Sequence, residues 1–423
     1  MRILHVHHRY WPGVGGGETY FQEFSARLAA DGHDVTVVTS DALAPTAYWD
    51  PKAQRLAEPT AEHRNVGIRR FPLCHLPGSP LTYSLWRYHL FFRLSHVLPV
   101  NLALRLSRYT PWVPRLWDWV AQTQERFDLV AGMSVLYEPF VAAAEVLARR
   151  QNIPFVVYPL THLGAGARPG TDQVGRYYTM PHQLELVRRA DAVIAITAGE
   201  REYYISRGLA PERISVASPG VDVADLPIGD ARRFRERHAI TGPLVGFLAT
   251  LVPDKGAITL VEAVSRLWAR GTQVELVMAG TRLAAFDRFL EAQPEAIRNR
   301  IKLLGLIDEA EKQDLLAAAD VFAMPSRTDS FGIVYLEAWL AGTPVIGARA
   351  WTMDDVIDDG VDGLLVPFND ADALAEALAA LLGDPARRAA MAAAGRAKTL
   401  SRFTWENAYG QVRDVYRRLT QRA

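Results

Sequence analysis

The stretch from Asp329 to Ala348, DSFGIVYLEAWLAGTPVIGA, sets an acid, a Phe-Gly turn, an apolar helical run carrying a second acid and a short β-branched strand in one line. The strand before it, DVFAMPS, leaves its carboxyl end through RTDSFG into a helix that begins near Gly332. The unbonded N–H groups of such a first turn, with the positive end of the helix dipole, make an anion site worth up to about 2 kcal/mol. Ser330, Phe331, Gly332, Ile333 and Val334 surround that start. Helical side chains lean back toward the N-terminus, so Glu337 lies over the turn holding Ile333 and Val334. A carboxylate so placed can accept two hydrogen bonds from a ribose diol while the helix end holds the attached phosphates. Asp329, ahead of the turn, then falls where a sugar beyond the phosphates would lie. The bland alternative makes Asp329 or Ser330 an N-cap and Glu337 a solvated helix residue. Against it, Glu337 stands between Leu336 and Ala338 in a helix that reads as buried, and a buried unpaired acid is costly.

Lys255, in LVPDKG, follows the first strand of the second half at its carboxyl end, where open α/β sheets bind ligands. A lysine there can neutralise a phosphate as a point charge, or simply be a solvated helix-start residue. The loop WPGVGGGETY, between the first strand and its helix, carries Gly15 and Gly16, which let backbone approach a ligand ahead of a helix N-terminus. It is not a dinucleotide fingerprint, because counting from Gly13 the last glycine of GxGxxG would fall on Glu18. In HVHH, His5 and His7 share a strand face as a metal pair would, without a clear third ligand, and no metal site is expected. Asp370 and Asp372 superficially match a metal-binding acid pair, but they open the helix ALAEALAALL, where acids complement the dipole.

The elements that must position these residues alternate. Short β-branched runs and helical patterns follow one another, the signature of βαβ units and an α/β fold with mainly parallel sheets. RILHVHH, DVTVVTS, FDLVAG, PFVVYPLTH and DAVIAIT form one set of strands, and PLVGFLAT, QVELVMAG, IKLLG, DVFAMPS and TPVIGA a second. Two doubly wound domains are predicted, divided near SPGVD at Ser218 to Asp222.

A chain of 423 residues fits two domains, and 49% hydrophobic with 22% charged residues is ordinary globular composition. Lys plus Arg equals Asp plus Glu at 47 each, which gives no reason to expect nucleic acid as a partner. Cys74 is the single cysteine, MRILHVHH reads as a strand rather than a leader, and no apolar run is long enough to span a bilayer, so a cytoplasmic protein is expected. Residues 81–119 depart from a plain α/β pattern, with nine aromatics and five arginines against the single acid Asp118. Such a segment either lies peripherally on the inner face of a membrane, its arginines on anionic phosphates, or packs on its own domain with the arginines reaching solvent.

Taken together, these residues resemble those of family 4 of the retaining glycosyltransferases, over nearly the whole chain. The resemblance rests on Gly15 to Gly17, the strand ending in His162, SPGVD, Lys255 and Gly256, GLIDEAE, ADVFAMPS, DSFGIVYLEAWLAGTPVI and DGVDGLLVP. The C-terminal FTWENAYGQVRDVYRRL resembles the helix with which that family crosses back to its first domain. It implies the GT-B fold of two facing Rossmann-like domains: 1–218 on the acceptor side, 219–402 binding a nucleotide sugar, and 403–423 returning to the first. It also implies transfer of a sugar, with retention, from a nucleotide-diphosphate donor that is a substrate, with no cofactor. Lys255 and the helix after Phe331 would hold the diphosphate, Glu337 the ribose, and Gly305 to Ile307 the base. Asp329 and His162 would contact the donor sugar, Gly15 and Gly16 the phosphates or sugar. The nucleotide (UDP or GDP) and the acceptor stay open, a glycan or lipid-linked acceptor of cell-envelope or exopolysaccharide assembly being the candidates. Two departures stand out. The first acid, commonly Glu, is Asp329, and the arginine usual five residues before the lysine is Thr250. That missing cation keeps a non-catalytic nucleotide-sugar-binding protein as an alternative, beside a nucleotide-sugar epimerase.

Overall fold

The computed structural model describes residues 1–13, 15–222, 226–329 and 331–421, with backbone alone at 91 and 92. The chain divides into two compact units: Met1–His162, Gln173–Ser218 and Ala408–Ala423 in the first, Leu163–Asp172 and Pro219–Asn407 in the second. A division at 218 alone therefore needs amending. The segment Leu163–Asp172 goes with the second unit because Trp351 binds it, through its backbone N–H to the Gly164 carbonyl at 3.0 Å and its indole N–H to Gly166 at 2.7 Å. At the other end, the helix Trp405–Thr420 passes into the first unit at Ala408 rather than at 403.

In the first unit, β1 (Arg2–Val6), β2 (Asp34–Ser40), β3 (Thr60–His63), β4 (Val66–Phe71), β5 (Leu129–Met133), β6 (Phe155–Tyr158), β7 (Ala192–Ala195) and β8 (Ile214–Val216) form one sheet in the order β3-β4-β2-β1-β5-β6-β7-β8. All neighbours are parallel except β3 with β4. The central strands are apolar along their whole length, as strands covered on both faces must be. Helix Gly16–Ala30 presents Tyr20, Phe21, Phe24 and Leu28 to that sheet, the face its spacing predicts. The C-terminal helix closes the core through Tyr416, whose hydroxyl bonds His5 Nε2 and the Tyr158 hydroxyl, each at 3.0 Å. His5 also meets the Ser25 hydroxyl at 2.8 Å, so it is a satisfied core residue rather than half of a metal pair.

In the second unit, β9 (Leu244–Leu248), β10 (Glu275–Ala279), β11 (Ile301–Gly305), β12 (Val321–Met324), β13 (Val345–Arg349) and β14 (Gly363–Pro367) form an all-parallel sheet in the order β11-β10-β9-β12-β13-β14. Strands β3, β4, β8 and β14 extend the expected sets, since short or edge strands carry too little apolar pattern to be read. Each sheet reverses its order once, between β1 and β5 in the first and between β9 and β12 in the second. No helix among the described residues is long and apolar enough to cross a membrane.

Candidate active site

The second sheet's reversal fixes the site, because ligands of open α/β sheets bind at the carboxyl ends of the strands where the order turns. Lys255 leaves β9 and Asp329 leaves β12, neighbouring strands at that point. Their side chains meet, Lys255 Nζ 2.9 Å from Asp329 Oδ2, with both still partly open to solvent. Thr352 donates to the Asp329 carbonyl at 3.1 Å, fixing the loop that carries the acid. Expected on separate parts of a ligand, the two residues here answer each other.

Behind Asp329 the helix Ile333–Leu340 begins at Gly332, whose left-handed φ of 81° suits glycine. A Cβ there would drive into the Tyr335 ring. With glycine as the N-cap, the helix takes no cap from a described side chain, so the reading of Asp329 as an N-cap fails. Ser330 lies outside the described residues. Phe331 is buried edge-on against Phe403 at 5.2 Å, whereas Ile333 and Val334 are half-buried on the first turn.

Glu337 is buried, as expected, but it has a protein partner that the sequence reading missed. Lys312 Nζ stands 2.7 Å from Glu337 Oε1 and 2.7 Å from Glu309 Oε1. Burial works against the Lys312 charge, yet the Glu337 and Glu309 carboxylates hold its ammonium above the ordinary lysine range. The signal was present in GLIDEAEK, where Glu309 and Lys312 stand three apart on one helix face.

Arg327 and Arg282, which could stand in for the cation missing at Thr250, are both already paired. Arg327 forks onto Asp254 Oδ1 at 2.9 and 2.7 Å, and Arg282 meets Asp287 at 3.2 Å. The Arg282 backbone nevertheless pairs with Leu251, which keeps it beside Thr250. Gly305 ends β11 at the same sheet edge, two strands from Lys255, and its carbonyl accepts from the Gly280 N–H at 2.7 Å. A cavity of about 460 Å³ continues that edge over β12, β13 and β14, lined by Arg327, Arg349, Trp351 and Phe368. Among the described residues it meets the site through Arg327, and Lys255, Glu337 and Gly305 are not in its lining.

The first unit carries the remaining expected residues. Gly15 precedes helix Gly16–Ala30, and a Cβ on it would strike the Glu18 carboxylate, which is held by Arg9 Nη2 at 2.7 Å. Gly16 faces open space. His162 follows β6, edge-on to Tyr178 at 4.6 Å. Its neighbour Thr161 is pinned by buried Glu200, which accepts from the Thr161 N–H at 2.6 Å and the Ile196 N–H at 2.7 Å. Among the described residues, no group of three or more His, Cys, Asp or Glu is gathered as a metal site requires.

Residues 14–225 match the family model of Glycosyltransferase Family 4, and residues 230–398 that of Glycosyl transferases group 1. The D-inositol 3-phosphate glycosyltransferase of Xylanimonas cellulosilytica is 30% identical over 100% of this chain and 97% of its own length. The chain belongs to glycosyltransferase family 4. As a family 4 glycosyltransferase it shares its fold with solved structures that cover it almost completely. The sucrose-phosphate synthase of Thermosynechococcus elongatus superposes with a TM-score of 0.71 at 21% identity, covering 100% of both chains. Anabaena HepE, in complex with UDP-glucose, superposes with a TM-score of 0.71 at 20% identity over 99% of this chain and 100% of its own. The fold of this family 4 glycosyltransferase is thus GT-B, built from two Rossmann-like units with mainly parallel sheets.

Proposed function

We propose that this family 4 glycosyltransferase transfers a hexosyl group, with retention, from a nucleotide-diphosphate sugar to an acceptor hydroxyl. The observation that carries the reading is the Lys255–Asp329 pair at the reversal of the second sheet, in front of the helix that starts at Ile333. The pair offers a cation for the diphosphate and a carboxylate for sugar hydroxyls, and the helix end adds N–H groups where negative charge develops. In the reaction the bond from the anomeric carbon to the phosphate oxygen breaks, its electron pair leaving with the nucleoside diphosphate. The acceptor oxygen bonds the same face of that carbon, and its proton passes to an oxygen of the departing phosphate. Lys255 stabilises the departing charge, Glu337 anchors the ribose and Gly305 lies by the base. No side-chain base is required.

A panel of UDP- and GDP-sugars, read for nucleoside diphosphate release and for product anomeric configuration by NMR, tests this. One donor should turn over with its anomeric configuration kept. Inversion would overturn the mechanism, and donor isomerised without acceptor would favour an epimerase.

Peripheral contact with an anionic membrane face belongs to the same proposal. Leu81, Leu85 and Val97 are 65%, 48% and 76% exposed in the arginine-rich segment, whereas Trp86 is tied inward to the Leu106 carbonyl at 3.2 Å. Leu81→Ser with Val97→Ser should release the protein from anionic liposomes, and unchanged binding would remove this part of the reading.

A further inference from the structure

A pocket of about 380 Å³ opens in the first unit. Its aromatic walls include Tyr137, close after the carboxyl end of β5, with Trp49 and Tyr177 from the connections that follow β2 and β6. These strands flank or contain the β1–β5 reversal, the ligand position of an open α/β sheet. Tyr83, Arg87 and Tyr88 complete the lining from helix Leu81–Phe92, so part of the aromatic surplus of residues 81–119 is used here. The rings are held from behind. Tyr137 stacks on His8 at 3.7 Å and tilts against Tyr48 at 5.1 Å, while Tyr83 stands 6.0 Å from Trp49.

The charge of the pocket is cancelled within the protein. Arg87 donates to the Thr110 carbonyl at 2.6 Å and to the Leu136 carbonyl, and its guanidinium faces Glu138 at 3.5 Å. Glu138 is fully buried and also receives Gln183 at 2.8 Å and His182 at 3.2 Å. Arg87 is the only Lys or Arg in the lining among the described residues. Aromatic walls with few polar groups are the usual make-up of a small-ligand site, and flat rings suit the C–H faces of a pyranose. A phosphorylated ligand would want a cation whose charge is not already answered.

We infer that this pocket binds the acceptor, and that the acceptor presents an uncharged pyranoside ring stacked against Trp49, Tyr88 and Tyr137. The inference rests on the proposed transfer reading and names its acceptor class. The probes are methyl hexopyranosides of the gluco, manno and galacto series and their 6-phosphates, followed by saturation-transfer NMR on the full chain. At least one methyl hexoside should receive saturation at its ring C–H protons, and its affinity should fall about tenfold in Trp49→Leu and in Tyr88→Ala. Tyr88 is half exposed, so its loss opens no core, and an unchanged Tm certifies the fold. No hexoside binding, unchanged affinity in both variants, or a 6-phosphate bound about tenfold more tightly would overturn the inference. Binding of UDP or GDP without any hexoside would defeat this assignment alone; failure to bind either nucleotide would defeat the donor reading instead.

Discussion

Lys255 Nζ lies 2.9 Å from Asp329 Oδ2, so the cation proposed for the donor phosphate is occupied by the acid proposed for the donor sugar. Binding must then exchange one partner for another, and Asp329 competes with the diphosphate for Lys255. Asp329→Asn should tighten nucleoside diphosphate binding several-fold while lowering transfer, because the competitor loses its charge and the sugar loses its acceptor of hydrogen bonds. Calorimetry paired with a turnover assay checks this, and weaker nucleotide binding in the variant would contradict it.

Thr250 stands where a second phosphate-binding cation is expected. A charged contact of this kind is worth about 1.5 to 3 kcal/mol, or roughly 10- to 150-fold in affinity. Thr250→Arg should tighten nucleoside diphosphate binding toward that range. Tighter binding with no turnover of any donor, in variant and wild type alike, would favour a binding protein over an enzyme.

Lys312 and Glu337 are both largely buried. Removing one partner leaves the other charge uncompensated, at a cost of about 3 kcal/mol or more. Lys312→Met should therefore lower Tm by several degrees, and adding Glu337→Gln should recover part of the loss. Because the Lys312 pKa is raised in the folded state, its contribution is complete below the unfolded value of about 10.4 and fades as pH rises through the folded value. The gap between wild type and Lys312→Met should stay constant from pH 7 to 9 and narrow above it; a gap that closes at neutral pH would refute the pairing.

Burial pushes His5 down to about 3 and His7 down to about 4, with His7 also acting on His5. Both are neutral in the folded protein and would take up protons on unfolding below their ordinary value of about 6.5. Stability should then fall with acidification by about 1.4 kcal/mol per pH unit for each histidine, starting near pH 6.5. Urea unfolding between pH 7 and 4.5 measures the slope. His7→Gln should reduce it by one proton, and an unchanged slope would contradict this.

The alternation of the two sheets, the glycine loop, and the Asp329 to Ala348 strand-helix unit were legible because each combines a strong period with turn chemistry. The carboxyl-edge positions of Lys255 and Asp329 followed from that pattern alone. What the sequence withheld were distances between elements far apart in the chain. Lys312 reaches Glu337 from a different helix, Trp351 draws Leu163–Asp172 into the second unit, and Arg87 meets Glu138 from another helix. No local period encodes such meetings. In the segment 81–119 the aromatic content was visible, but for the same reason the pocket it shares with Trp49 and Tyr137 was not.

Titration calorimetry of UDP and GDP into the wild-type protein and into Lys255→Ala tests the central claim most directly. One nucleotide should bind the wild type, and Lys255→Ala should weaken it at least about tenfold at unchanged Tm. Failure of both nucleotides to bind, or equal affinity in the variant, would contradict it.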